Sequence, residues 1–591
     1  LAATLGKMFG FLAARMHEPH PVTFVLGGVI ICGGVAFAVA SAAGAAVVFG
    51  GRTRRSPGRV RLSPTVLVWA AAGAYFAFFS AVTVARHRAM ATNAFDLGYF
   101  ANVIYNFGRG HPFRQTLVGA TNGFSDACVP ILALFAPLSY VFAEPTYLLV
   151  LQSSFLASGV VLVYALARPA VGSRWPAAAL SLSFALSPAL HGANLCEFHP
   201  RALAVPLVLG ALYFFSRKHF WPGVACAALL ALCREDLALH AVALAAYGGF
   251  AAGHKRAGLA AAALLALYYL GVCSYLYPRL TYAVAGGAPY FKSFFAGGAY
   301  LQRQTLMGPL IIPAKLAYIG TLVLAAAAFL PAAGGALVTL VTPLAVPALA
   351  TKGRVFFGIW WHYPLTILPF VYGAAALGVR RLVRPEMTPR RLFLVAGGSV
   401  AAVVFHLLLI AYFGGRYYLP TLAAAVRGSY EKNLAAAAAR VPANAPICVD
   451  DRFAAHLAFR RYIYLYGSLP PAGPRPTPAA MLLERRLYRP TDLPTILSRA
   501  ARWNLRPAEI SEDYVYFTEE GARFSGEDLL ATWFDNIEEW ECLRPTKLLT
   551  RRGTPVADAR AHDGRAIRSG GTLRYRPLKG DVYPPGDYVL T

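Results

Sequence analysis

Acidic residues are scarce in the first two thirds of this chain. Of 28 in total, only Glu18, Asp96, Asp126, Glu144, Glu197, Glu235, Asp236 and Glu386 precede residue 415. Charged residues of either sign make up 14% of the 591, while 57% are hydrophobic. A soluble domain carries about a quarter charged residues, so a water-soluble body is excluded and lipid is the main solvent. The eight cysteines lack metal-ligand spacing, which excludes a zinc module. The tail beyond residue 415 has no glycine-rich phosphate loop, so no nucleotide site is expected there. A clear internal repeat is also missing, which argues against a secondary transporter.

What is present is arginine, and the net charge is +27. Nucleic acid is nevertheless not the expected partner, because the basic residues cluster in short loops between apolar runs rather than in a stripe interleaved with aromatics. At about twenty apolar residues per crossing, the candidate spans are 22–49, 65–85, 147–167, 177–190, 201–216, 220–233, 237–252, 257–277, 309–330, 334–350, 364–379 and 392–413. The first is too long for a signal-peptide core and reads as a span or signal anchor. The Pro-bounded run 129–143 reads as a helix lying at the interface. Basic loops at 51–61 and 380–391, with Arg168/Arg174, Arg217/Lys218 and Lys255/Arg256, fall on one side when the spans are counted in order. That side is cytoplasmic by the positive-inside rule.

The fold class expected is therefore mainly α: a polytopic helical membrane protein of about twelve spans with a small extracytoplasmic α/β domain. Residues 1–64 form an N-terminal span and basic loop, and 65–415 the transmembrane domain. The loops 86–146, 191–200, 278–308 and 351–363 and the tail 416–591 face outward. In the tail, Pro446–Asp451, Tyr462–Tyr466 and Asp513–Phe517 read as strands and Arg452–Phe459 as a helix. Cys448 and Cys542 are either a disulfide in an oxidising compartment or two unpaired thiols.

Six of the eight body acids, Asp96, Asp126, Glu144, Glu197, Glu235 and Asp236, fall on or near the outward face, beside His191, His199 and His362. Ionisable groups at membrane depth are costly and are usually paired or functional, so a site is expected there. Asp96 is either a cap for a helix starting near Leu97 or a group that reaches both water and headgroups. Glu197 and His199 flank Phe198 and share a face in extended chain. They suit proton transfer or a metal, or else a polar loop capping the next helix. Arg234 suits a phosphate oxyanion, or pairs internally with Glu235 or Asp236. Trp360 and Trp361 read as interfacial anchors or substrate stackers, and His362 and Tyr363 can project into an outward cavity.

These segments carry a resemblance. Phe95-Asp96-Leu97-Gly98, Pro130-Ile131-Leu132 with Ala136-Pro137-Leu138, Phe198-His199-Pro200, Arg234-Glu235-Asp236, His362-Tyr363 and Ala455-His456-Leu457-Ala458 with Arg461 and Ile463-Tyr464 follow in order over residues 85–520. The series resembles a bacterial and archaeal family of predicted polytopic membrane proteins without an assigned function, usually grouped with the C-type membrane glycosyltransferases. The resemblance implies a sugar moved from a polyprenyl-phosphate donor to a glycan, lipid or protein acceptor on the outward face of a bacterial plasma membrane. It implies Asp96 as base or metal ligand and Arg234 as the group holding the lipid phosphate; the enzyme reading then lines the cavity with Glu197 and His199 as further catalytic or metal-binding groups. Arg234, Glu235, Asp236, His362 and Tyr363 would form the substrate site. A divalent metal is the one cofactor implied. The chain departs from the family where Arg201 stands in place of an acid after His-Pro, and where Arg234 replaces a lysine. The remaining alternative is a non-catalytic lipid-carrier-binding or scaffold subunit that docks a protein partner through its tail.

Overall fold

The computed structural model describes residues 63–117, 128–169, 173–276, 313–326, 329–340, 358–383, 387–469, 474, 476–488, 492–521, 549–550, 561–569, 572–581 and 586–589. The expected span 22–49, the basic loop 51–61, the outward loop 278–308, Asp126 and Cys542 lie outside them. The chain forms two compact units, one of Leu1–His87, Val103–Gln115 and Ala120–Val426, the other of Arg88–Asn102, Thr116–Gly119 and Arg427–Thr591.

The first unit is helical: α1 (Pro64–Arg88), α2 (Thr146–Ala167), α3 (Trp175–Ala185), α4 (Pro188–Leu195), α5 (Ala204–Ser216), α6 (Phe220–Cys233), α7 (Glu235–Ala252), α8 (Lys255–Gly271), α9 (Leu368–Leu382) and α10 (Pro389–Phe413). Prolines open α3, α4, α9 and α10 in the first turn, where a missing N–H breaks no helical bond. Gly253, left-handed at φ 88°, ends α7. Among the described residues, four helices are long and apolar enough to cross a membrane: Pro64–Arg88, Thr146–Ala167, Lys255–Leu276 and Pro389–Ala423. Their runs match the sequence reading to within a few residues, except that the last extends to 423. The run 177–190 is broken at Leu186–Ser187 into α3 and α4. The expected interfacial segment is the 3-10 helix Pro130–Tyr140, which leaves Leu134 and Tyr140 exposed.

Small residues let these helices approach, as between spans in lipid. Gly223 on α6 and Gly248 on α7 both face the ring of Phe215 on α5, where an added Cβ would lie 2.3 and 2.2 Å from it. Gly249 meets Gly258 on α8 so closely that a Cβ there would lie 2.6 Å from the neighbour's Cα. The Lys255–Leu276 helix buries 11% of its most apolar window against 56% for Thr146–Ala167. Among these four helices it is the least buried by the described residues, and α2 the most.

The second unit is built on a five-stranded sheet of β1 (Ile447–Val449), β2 (Ile463–Leu465), β3 (Ala480–Glu484), β4 (Arg506–Ile510) and β5 (Tyr514–Thr518), in the order β2-β1-β3-β5-β4. The strands β1, β2 and β3 are parallel, and β5 runs antiparallel to both β3 and β4. Strand residues alternate between two cores. Ile447, Val449, Ile463, Leu465 and Leu482 pack with Leu434 of α11 (Ser429–Arg440) and Phe453 of α12 (Asp451–His456). Cys448, Tyr464, Met481, Leu483 and Phe517 pack with Leu493 and Ile496 of α13 (Leu493–Arg502). Two earlier segments complete this unit. The N–H of Ala94 donates to Asp451 (2.6 Å), and Asn102 donates to the carbonyls of Ala458 (2.9 Å) and Arg460 (2.8 Å). The Thr116 hydroxyl donates to the carbonyl of Ile463 (2.6 Å). A second, antiparallel sheet is formed by β6 (Leu549–Thr550), β7 (Ala561–Ser569), β8 (Thr572–Asp581) and β9 (Gly586–Val589), in the order β6-β9-β8-β7.

Candidate functional site

In the first unit, three stretches distant in sequence meet: the loop 196–203, the junction of α6 and α7, and the turn 360–366. The junction is one residue long. Arg234 is extended (φ −173°, ψ 155°) between two helices, which leaves Glu235 and Asp236 in the first turn of α7, where the helix dipole favours negative charge.

The loop is fixed from below. Gln152 of α2, fully buried, donates through its amide to the Glu197 carbonyl and accepts from the His199 N–H at 2.8 Å. Glu197 is held left-handed at φ 70°, so residues 197–199 are not the extended run that the alternation around Phe198 predicts. A non-glycine residue in this region stores about 1–3 kcal/mol unless its surroundings dictate it, and the Gln152 clamp does so. Just before the loop, Arg86 of α1 donates to the carbonyl of Leu195, the last residue of α4.

Around this frame the charges close in. Arg201 pairs with Asp236 at 2.7 Å, the two side chains 2% and 6% exposed. Arg234 lies 3.3 Å from Glu235 and 3.6 Å from Asp236, so the internal pairing open in the sequence is formed. The second oxygen of Glu235 accepts from the Cys128 N–H at 3.1 Å. His199 and His362 stack with centroids 3.7 Å apart and planes 15° from parallel. Tyr363 lies 4.2 Å from the His362 ring and 5.0 Å from the Arg201 guanidinium. Burial first depresses the basicity of both imidazoles well below the ordinary value, reinforced at His199 by His362 and then the two arginines, and at His362 by the two arginines.

Tautomer geometry says what this arrangement prefers. His199 Nδ1 accepts from the Arg201 backbone N–H at 3.1 Å, so the proton of the neutral ring sits on Nε2. That Nε2 lies 3.4 Å from the Arg234 guanidinium, which has only donors. Two donor groups thus converge, and an anionic oxygen is the partner that suits both. For the same reason His199 offers a metal no lone pair.

Of the residues singled out in the sequence, Glu197, His199, Arg234, Glu235, Asp236, His362 and Tyr363 come together here. Asp96 belongs to the second unit, in a turn (Ala94–Gly98) before the helix Tyr99–Gly108, with positive φ (57°). Glu144 is exposed and accepts from Thr146 at 3.1 Å. His191 is held between the Ala185 carbonyl and the Tyr418 hydroxyl, each at 2.7 Å. Trp360 stacks on Tyr417 at 4.2 Å, and Trp361 is 43% exposed. Cys448 is buried and forms no disulfide among the described residues, Cys542 lying outside them. Sequence reasoning passed over Gln152 and gave Arg201 no role in the site. A lone amide inside an apolar run was the only available signal for the first, and a cation where the family's series has an acid was the signal for the second.

A family model described as "Predicted membrane protein (DUF2079)" matches residues 86–475. A search of curated proteins finds no match.

Proposed function

The chain belongs to this family of membrane proteins, and from that premise we propose that it is a glycosyltransferase of the C-type architecture, with about twelve spans. It moves a sugar from a polyprenyl-phosphate donor to an acceptor on the extracytoplasmic face, where the second unit also lies. The observation that carries this reading is the convergence of the Arg234 guanidinium and His199 Nε2–H on one space. Such a pair holds a phosphate oxygen in the ground state and stabilises the charge that grows there as the phosphate leaves.

Transfer breaks the bond from the sugar's anomeric carbon to the phosphate oxygen and forms one to the acceptor oxygen. The electron pair of the broken bond stays on the lipid phosphate, and the acceptor's hydroxyl proton must go to a base. Within the first unit Glu197 is the group able to take it. Asp96, on its strained turn, is the corresponding acid of the second unit. Arginine side chains at the basic loops orient the body toward the cytoplasm.

The test is transfer from a panel of radiolabelled polyprenyl-phosphate sugars by the full chain in lipid, wild type beside Arg234→Gln and Asp96→Asn. The wild type should transfer, and removal of the Arg234 charge should cost at least about a hundredfold. Donor binding that is undetectable in the wild type would overturn the reading. Transfer unchanged in Asp96→Asn would confine the chemistry to the groups of the first unit.

A further inference from the structure

Arg201 is more deeply buried than Arg234, with its side chain 2% exposed against 11%. Its pairing is incomplete: one terminal nitrogen meets Asp236, while Nε makes no hydrogen bond among the described residues. A charged donor left buried and unsatisfied is destabilising, so an unused Nε–H in the interior calls for an acceptor. A neighbour is in the same condition. His240, one helical turn beyond Asp236 on α7, is fully buried and neither ring nitrogen has a hydrogen-bond partner among the described residues. Both Asp236 and Arg201 act on it electrostatically. Asp236 is the hinge of the arrangement, because one carboxylate oxygen faces Arg201 and the other faces Arg234.

We propose that Arg201 is a second ligand of the anion held by Arg234, the two guanidiniums flanking Asp236 and gripping one singly charged phosphodiester. This deepens the reading above and rests on it. The count of charges selects the ligand. Arg86, Arg201 and Arg234 are balanced by Glu197, Glu235 and Asp236, and both imidazoles are neutral, so the site has no surplus positive charge for a diphosphate. A phosphodiester adds one negative charge, spread over two oxygens that match two arginine donors. The ester-linked tail supplies the apolar contact that an inorganic ion lacks.

The experiment is equilibrium binding to the full chain purified in a maltoside detergent, which contains no phosphate. The probes are methyl farnesyl phosphate, dimethyl phosphate, phosphatidylglycerol and farnesyl diphosphate. The variants are Arg201→Lys, which keeps the charge opposite Asp236 and removes the Nε donor, and Arg234→Gln. Thermal unfolding confirms that each is folded. Methyl farnesyl phosphate should bind better than farnesyl diphosphate. Dimethyl phosphate should bind more weakly because it lacks the tail, and phosphatidylglycerol should compete only if an ordinary headgroup fills the site. Arg201→Lys should weaken every phosphodiester that binds by the same factor, about ten- to a hundredfold, the range for one charge-assisted hydrogen bond. An unchanged affinity in Arg201→Lys beside a loss in Arg234→Gln would overturn the role of Arg201 and leave the donor site standing. A loss for the prenyl probe without one for dimethyl phosphate would also overturn it, placing Arg201 with the tail. No binding of any phosphodiester to the wild type would overturn the donor reading and this inference together.

Discussion

Each unit buries a carboxylate beside other ionisable groups, and the two differ in how their hydrogen bonds are used. Asp236 in the first unit serves two arginines, one of which keeps a donor unspent. Asp450 in the second unit stands just past β1, between the parallel strands β2 and β3, where open α/β sheets commonly bind ligands. Yet both its oxygens are engaged. One accepts from the Glu484 N–H at 2.7 Å and the other from the Tyr488 hydroxyl, while Glu484 itself accepts from Tyr430. Position at a strand end is therefore a weaker guide to a site than the inventory of donors and acceptors left over. A carboxylate whose two oxygens both have local donors, as in Asp450, is a structural device, whereas a buried guanidinium with a donor to spare asks for a ligand.

The contrast can be broken by substitution. The largest effect expected is from Asp236→Ala, which strands Arg201 in the interior. Removing one partner of a buried pair costs about 3–5 kcal/mol, so the unfolding midpoint in detergent should fall steeply. A phosphodiester ligand should restore part of the loss, since its charge replaces the missing carboxylate. A midpoint within error of wild type would mean that Arg201 reaches solvent.

The second effect concerns pH. Burial pushes the Asp450 carboxyl from its ordinary 3.8 up to about 7. The folded state then holds one more proton than the unfolded state between roughly pH 4 and 7. Stability attributable to this group thus falls as pH rises through that window and is level above it, at about 1.4 kcal/mol per pH unit where the difference is complete. Asp450→Asn should remove the slope, so that the variant gains on wild type from pH 4 to 7. Parallel curves would show that Asp450 titrates normally. The smallest effect belongs to the solvated edge of the second unit. Arg440 and Glu509 form a pair there with side chains 56% and 37% exposed, and Arg440→Ala should leave the midpoint unmoved because water screens such pairs. A clear shift would require the pair to be coupled to Tyr514, which both residues also contact.

The long spans were legible because an apolar run has one solution in lipid, a helix that satisfies its own backbone. Strands at Ile447–Val449, Ile463–Leu465 and Tyr514–Thr518 were also legible from β-branched and aromatic runs between turn residues. The reading missed β3 and β4 for opposite reasons. Met481-Leu482-Leu483 is buried on both faces and shows no alternation. Arg506-Pro507 looks unlike a strand, and β4 tolerates it as the sheet's edge. The recruitment of 88–102 and 116–119 to the second unit rests on hydrogen bonds between residues some 350 positions apart, such as Ala94 to Asp451. Nothing local encodes that pairing. In the site, Arg234-Glu235-Asp236 and Phe198-His199-Pro200 were found as motifs, whereas Arg201 and Gln152 act through partners far along the chain.

The Gln152 clamp has a mechanical consequence. One amide on α2 holds the loop by the Glu197 carbonyl and the His199 N–H together, which couples the loop's position to that helix. A helix that spans a bilayer changes its tilt when the hydrocarbon thickness changes. Any tilt of α2 is thereby passed directly to the imidazole and carboxylate that the loop carries, making acyl-chain length a variable of the site.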